Sequence, residues 1–573
     1  MKTIQLSLIC SLLILVFVSW KYPSSPPIKE MSSTDESTVS FCGAYGDYVP
    51  DPIDTTRPVA PWLPNLGTLH HPITTSSKRA QEFFDQGLKL CYAFNHKEAH
   101  RSFMEVARLD PHCAMAHWGQ AFALGSNLND PINPEREERA YKAVQKALAL
   151  IENASGAEKD YIIALSSRYK LPPHTERKEL NQAFVLAMKD IAEKYPDDAD
   201  AQELYADALM LTMPWNYWGT KGDYLPAAAE VKNVLEKIIK RFPDHPGAHH
   251  SYIHLVEGSN NPSGGLLSAN ALEALMPQAG HLIHMPSHIY VRTGQYQAVI
   301  EHNKRAITAD EAYLATCRVE GMYPLRYYPH NIHFLSQAYS FTGQSVKAIQ
   351  AGNKLVTLVG SSNALQMQRV LGAHYFVYAR FGQWNEILTL PKPDDKLLET
   401  CIKWHFVRGL AFLRTGNMER TQTEIHILDS LNSLEILKKQ FAKYNSLDKV
   451  CPVAVNLLKG EFYLSSDAKR ALAFLEEAVK QELELIYDEP PVWGLGISAR
   501  HYLGDAYLKM KMYPEAEKVF KEDLKVYPHN GWALFGLKTA LASQNKNQEA
   551  AEADKQFKEA WKDADVKINS SIF

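Results

Sequence analysis

The chain has 573 residues, 46% of them hydrophobic, and a formal net charge of −4. That length exceeds one ordinary compact core, so several domains or a repeat array is expected of a folded soluble protein. Charges of both signs are interspersed, which leaves no basic patch and excludes nucleic acid as the expected partner.

The first element is an apolar run from Ile4 to Trp20 behind Met1-Lys2. Residues 1–22 read as a secretory signal or an uncleaved membrane anchor. The expected location is therefore secreted, periplasmic or membrane-anchored, with the rest of the chain outside the cytosol. Residues 23–75 are polar and proline-rich, a linker ending in an N-terminal arm that carries His70 and His71. The seven cysteines are scattered and form no C-x-x-C pair, which excludes a dense disulfide scaffold. Cys91 and Cys113 are the nearest candidates for a single bridge.

From Ser76 onward the pattern is helical. Gln81 to Pro111 reads QEFFDQGLKLCYAFNHKEAHRSFMEVARLDP, with Gly87, Ala99, Phe103 and Pro111 at fixed intervals. Arg500 to Pro528 reads RHYLGDAYLKMKMYPEAEKVFKEDLKVYP and repeats those intervals through Leu503, Gly504, Tyr507, Ala516, Phe520 and Pro528. Small residues let two antiparallel helices approach, aromatic ones fill the space between them, and proline ends the second helix. This resembles the tetratricopeptide repeat family, with degenerate units around Gly294, Gly343, Gly382 and Gly416. AFNHKEAHRSF, CAMAHWGQAFALG, MPSHIYVRTGQY and NGWALFGL resemble large histidine-rich members of it. The resemblance spans residues 76–560 and implies an all-α helix-pair solenoid, a right-handed superhelix. It divides the chain into N-terminal repeats (76–245), histidine-rich central repeats (246–350) and C-terminal repeats (351–565). Long interruptions are expected at 125–134, 171–175, 213–223 and 311–328.

Ten of the 22 histidines lie between His245 and His333. His281, His284 and His288 stand three and four residues apart, on one helical face extended by Arg292. His250 and His254 precede His284 and His288 by 34 residues, with Glu257 on the same face. His330, His333 and Gln337 repeat the three-then-four spacing. With Gly294 and Gly343 at the fifteenth repeat position, these side chains take the second, fifth, ninth, twelfth and thirteenth positions. The family resemblance implies that those positions face the concave groove. Pro286 interrupts the middle helix, so His281 and His284 are expected on an entering loop.

Imidazole suits zinc, copper, iron and nickel, and cysteine is scarce nearby. The expected site is one or two transition-metal ions, copper, zinc or iron, held by His250, His254, Glu257, His281, His284, His288, His330 and His333. Glu301, Asp310, Glu311 and Cys317 are further donors within reach of the segment. A second reading is a groove that binds an anion or peptide through histidine, Arg292 and Gln337; a third is purely structural histidines. His501 shares the fifth position of its repeat but has no histidine neighbours. Trp215 to Trp218 reads as an aromatic loop packed on the solenoid. No phosphate loop, H-E-x-x-H pair or nucleophile elbow is present, so no catalytic residue is assigned. The two functional classes are a metal-dependent enzyme and a scaffold binding a partner protein or peptide. The membrane enters through the N-terminal segment if it is uncleaved.

Overall fold

Glycine facing phenylalanine sets the spacing of the helix pairs. A Cβ at Gly87 would lie 2.7 Å from the Phe103 ring, and one at Gly504 would lie 2.5 Å from Phe520. Each pair therefore closes to a distance that any larger residue would forbid, and both phenylalanines are fully buried. Truncating either to alanine would cost about 3–5 kcal/mol.

A computed structural model describes residues 57–173, 177–219, 222–317, 323–359, 367–442, 445–485, 487 and 497–573. The expected signal or anchor, Cys10 and Cys42 lie outside these residues. The described residues fall within one compact unit, Phe41–Phe573.

The helices run in order as α1 (Lys78–Tyr92), α2 (His96–Leu109), α3 (Ala114–Leu124), α4 (Pro134–Ala149), α5 (Gly156–Ser166), α6 (Lys178–Lys194), α7 (Ala199–Met210) and α8 (Pro226–Arg241). The central segment holds α9 (Pro246–Val256), α10 (Leu266–Leu275), α11 (Gly280–His284), α12 (Pro286–Arg292), α13 (Tyr296–Cys317), α14 (Tyr328–Phe341) and α15 (Ser345–Val359). Then follow α16 (Gln368–Arg380), α17 (Trp384–Thr389), α18 (Leu398–Arg414), α19 (Met418–Asn432), α20 (Leu447–Tyr463) and α21 (Ala468–Glu484). The last are α22 (Ala499–Lys509), α23 (Tyr513–Val526), α24 (Gly531–Ser543) and α25 (Asn547–Ala560). Consecutive helices pack in pairs, the layout of a tetratricopeptide-type solenoid. Among the described residues the only paired strands are two residues each, Phe441–Ala442 with Asn445–Ser446. No described helix is long and apolar enough to cross a membrane.

Three local findings differ from expectation. Pro286 divides the middle helix into α11 and α12, yet Met285 between them keeps right-handed helical angles, φ −50° and ψ −37°. His281 and His284 therefore stay on a helix instead of a loop. The interruption expected from Glu311 starts later, because α13 runs on to Cys317. Cys91 and Cys113 are free, buried thiols.

Residues 528–573 pack against the turns of the central repeats. Gly294 and Gly343 hold left-handed turns, φ 75° and 71°, pressed against Pro528 and Trp561 so closely that a Cβ would clash. The Asp565 carboxylate accepts from the backbone N–H groups of Ser345 and Val346 at 2.7 and 3.0 Å, closing the start of α15. Trp532 Nε1 donates to the Ser340 carbonyl at 2.9 Å.

Candidate metal centre

The central repeats present two histidine pairs built alike. On α9, His250 Nε2 faces His254 Nε2 at 3.1 Å. Across α11 and α12, His284 Nε2 faces His288 Nε2 at 2.9 Å. One helical turn separates the members of each pair.

The outer nitrogens decide the protonation. His250 Nδ1 lies 2.7 Å from the Tyr92 carbonyl, which can only accept. His254 Nδ1 and His288 Nδ1 lie 2.9 and 2.6 Å from the two oxygens of Glu257. His284 Nδ1 lies 2.7 Å from Asn303 Oδ1. The Asn303 amide is oriented by donating from Nδ2 to Ser287 Oγ and the Val299 carbonyl. All four Nδ1 atoms therefore carry a proton, so in each neutral imidazole Nε2 is a lone pair. Two lone pairs facing each other near 3 Å repel unless a proton or a metal cation lies between them. A tetrahedral ion with bonds of about 2.0–2.1 Å spans an N···N edge of roughly 3.3 Å, so the pairs, at 3.1 and 2.9 Å, would open by a few tenths of an ångström to hold one.

At His250, in the first pair, burial argues against the proton. It pushes the His250 imidazole well below its ordinary value, and the neighbouring His254 pushes it further. Burial would raise the Glu257 carboxyl, but His288 and His254 outweigh it and hold the group at about 2. Glu257 thus stays ionised and fixes one imidazole of each pair.

A third histidine joins each pair. His250, His254 and His281 each offer one nitrogen, all within 4.8 Å of one another, and so do His284, His288 and His330. Both His281 nitrogens are buried without a hydrogen-bond partner, and burial holds this imidazole well below its ordinary value. In repeat terms one rule builds both triads: the fifth and ninth positions of one unit plus the second position of the next.

Aromatic rings close the site. Phe94, in the turn between α1 and α2, lies 4.4 Å from His250 and stacks on His254 and His281. Its φ of 55° is left-handed, a strained state for a bulky side chain that needs support from its surroundings. Phe334 on α14 meets His284, His288 and His330 at 4.7, 4.8 and 4.8 Å. Trp215 meets His254 at 5.0 Å and Tyr327 meets His281 at 4.4 Å.

Six of the eight predicted donors therefore come together as two triads. Glu257 lies between them and spends both oxygens on imidazoles, which changes its role from donor to bridge. His333 is buried on α14 outside both groups. Most of the histidines expected to face an open groove are buried here, and those of the first triad lie against Phe94 of the α1–α2 turn. Arg292 donates to the Glu257 and Ser259 carbonyls and lies over the Tyr487 ring, so it ties chain segments together. Gln337 is likewise buried. Asp310 sits apart, accepting from Tyr323 Oη and Asn331 Nδ2 at 2.8 and 2.7 Å; burial raises its carboxyl to about 7 against those two bonds. Glu311 bonds Tyr328 and Lys354, Glu301 bonds Gln297 and Lys304, and the Cys317 side chain lies outside the described atoms. His71 joins a separate group with Asp198 and Asp200.

Sequence reasoning missed Tyr92, Phe94, Asn303 and Tyr487, whose hydroxyl donates to Glu257 at 2.8 Å. Two of these carry a signal. Phe94 stands at the turn position that glycine fills at Gly294 and Gly343, and Asn303 stands at the position of Phe103 and Phe520.

No family model and no curated protein matches this chain. Its fold is similar to several solved helical-repeat structures. The human IFIT1 dimer with m7Gppp-AAAA aligns over 84% of this chain and 95% of its own, with 14% identity and a TM-score of 0.34. The APC/C hetero-tetramer Cut9–Hcn1 aligns over 84% and 90%, with 12% identity and a TM-score of 0.30. Yeast Tom70 aligns over 84% and 93%, with 11% identity and a TM-score of 0.29. Similarity at this level stops at the helical-repeat layout and does not extend to ligands or activity.

Proposed function

We propose that this chain is a metalloprotein whose solenoid holds two neighbouring transition-metal ions, copper, zinc or iron, each on three histidines. One centre takes His250, His254 and His281; the other takes His284, His288 and His330. Glu257 couples them through His254 and His288. The observation that carries this reading is the pair of facing Nε2 atoms, each with its Nδ1 proton held by an acceptor. Three neutral imidazoles leave a fourth position on a tetrahedral ion, where such an ion activates water or another oxygen donor. That makes a metal-dependent enzyme the first functional class. The chain's export or membrane anchoring through residues 1–22 is part of the same proposal. A partner-binding scaffold is the alternative; its support is the repeat fold, while the burial of the histidines removes them from an open groove.

Elemental analysis of the purified protein tests the reading. Two transition-metal ions per chain are expected. A chain that carries none, and takes up none on dialysis against copper, zinc or iron, overturns it.

A further inference from the structure

A cavity of about 320 Å³ opens beside the first triad. Its mouth lies at Trp62 of the N-terminal arm and at Ala312 and Thr316 on α13, all exposed. Its inner wall is Leu66, Leu90 and Ala309, all buried. At the deep end stand Asp310 and Tyr323, beside Gly280, the residue before His281. A Cβ at residue 280 would lie 1.9 Å from Asp310 Oδ1, so only glycine lets this carboxyl reach the wall.

Size and chemistry limit the occupant. An apolar cavity of about 150 Å³ holds benzene, so this one has room for two fused rings, and it meets the lower bound of roughly 300 Å³ for small-molecule sites. No Lys, Arg or His lines it, so an anion would find no counter-charge. Asp310 takes one bond from Tyr323 and one from Asn331, and a carboxylate has about four acceptor sites. In its ionised form capacity remains for at least one more donor. Tyr323 Oη also accepts from the His281 backbone N–H at 3.3 Å, which connects the deep end to the first triad.

We propose that this cavity binds a neutral aromatic molecule of naphthol size, with its rings between Leu66 and Leu90 and its hydroxyl donating to Asp310. This site places an organic ligand one residue from His281. The binding itself does not require the metal, so the two readings fail separately.

Titration calorimetry on the full chain, with metal content measured on the same sample, tests it with 2-naphthol. Saturable binding of one molecule per chain is expected. Naphthalene, which lacks the donor, and 2-naphthoate, which carries a charge, should each bind at least about tenfold more weakly. Ala312→Trp fills the exposed mouth and should weaken 2-naphthol by at least about tenfold while the circular dichroism stays unchanged; Thr316→Trp is the second mouth variant. Absence of saturable binding overturns the proposal. So does 2-naphthoate or naphthalene binding as tightly as 2-naphthol, or both mouth variants binding like the parent chain.

Discussion

The repeat turning at Gly294 and the repeat closed by Pro528 place a buried histidine at the same fifth position, His284 and His501. Around His501 the eighth and twenty-fourth positions are Gly504 and Phe520, packed face to face. Its ring is consumed by local partners: Arg380 Nη1 lies 3.1 Å from Nδ1 and Asp523 Oδ2 lies 3.0 Å from Nε2. Around His284 the same two positions are Ser287 and Asn303, joined by a hydrogen bond. That exchange turns a packing contact into a polar bracket, which grips Nδ1 and leaves Nε2 facing another imidazole. One repeat uses histidine to satisfy buried charges; the other turns its Nε2 toward a second imidazole.

The largest test of this contrast removes one inward-facing imidazole from each triad. His254→Ala with His288→Ala should take the metal content from two ions to none. It should also abolish the thermal stabilisation given by added metal, ~4 kcal/mol per ion at a free concentration on the order of 1,000 Kd. A double variant with full metal content breaks the comparison. Next in size, His501→Ala should leave both ions bound but cost about 3–5 kcal/mol in denaturant unfolding, because Asp523 loses its buried partner. Loss of metal in that variant would equate the two repeats.

Glu257→Gln should weaken both ions by about 10–100-fold in competition titrations with a chelator. Asn303→Leu should weaken only the ion on His284, His288 and His330, by a similar factor. Equal effects of Asn303→Leu on both ions would sink the bracket.

The smallest effect is in pH. Burial, joined by neighbouring imidazoles, depresses His250 and His281 below the ordinary value of 6.5. A depressed folded value favours protonation of the unfolded chain, so their contribution is full above about pH 6.5 and fades as pH falls below it. His71 has the opposite sign. Burial lowers its value, but Asp200 outweighs burial and raises it above 6.5. Its contribution is full below about pH 6.5 and is lost as pH rises through the raised value. Metal-free protein should therefore lose stability on acidification from pH 6.5, and His71→Asn should flatten only the alkaline side of the profile. An unchanged alkaline side in that variant removes His71 from the account.

Much of this was open to sequence reasoning. The glycine, alanine and phenylalanine intervals carry the helix pairs, and the 34-residue offset carries His250 and His254 onto His284 and His288. Those relations are local, or they pass between adjacent repeats. What was not legible comes from distant chain. The Tyr92 carbonyl reaches His250 across 158 residues, and Tyr487 reaches Glu257 across 230. Repeat spacing holds no information about which far segment packs on these side chains. Nor does the periodicity of α14 say that His330 joins a triad while His333, three residues on, stays outside.

The packing of residues 528–573 on the central turns has a consequence in time. Pro528 is made 234 residues after Gly294, which at about 5–20 residues per second is roughly 10–50 s of translation. Until then the turns at Gly294 and Gly343 lack their covering surface. Tyr487, the partner of Glu257, is made earlier in that interval, yet after both histidine pairs. Synthesis therefore delivers the imidazoles first, their bridging hydroxyl second and the clamp on their scaffold last.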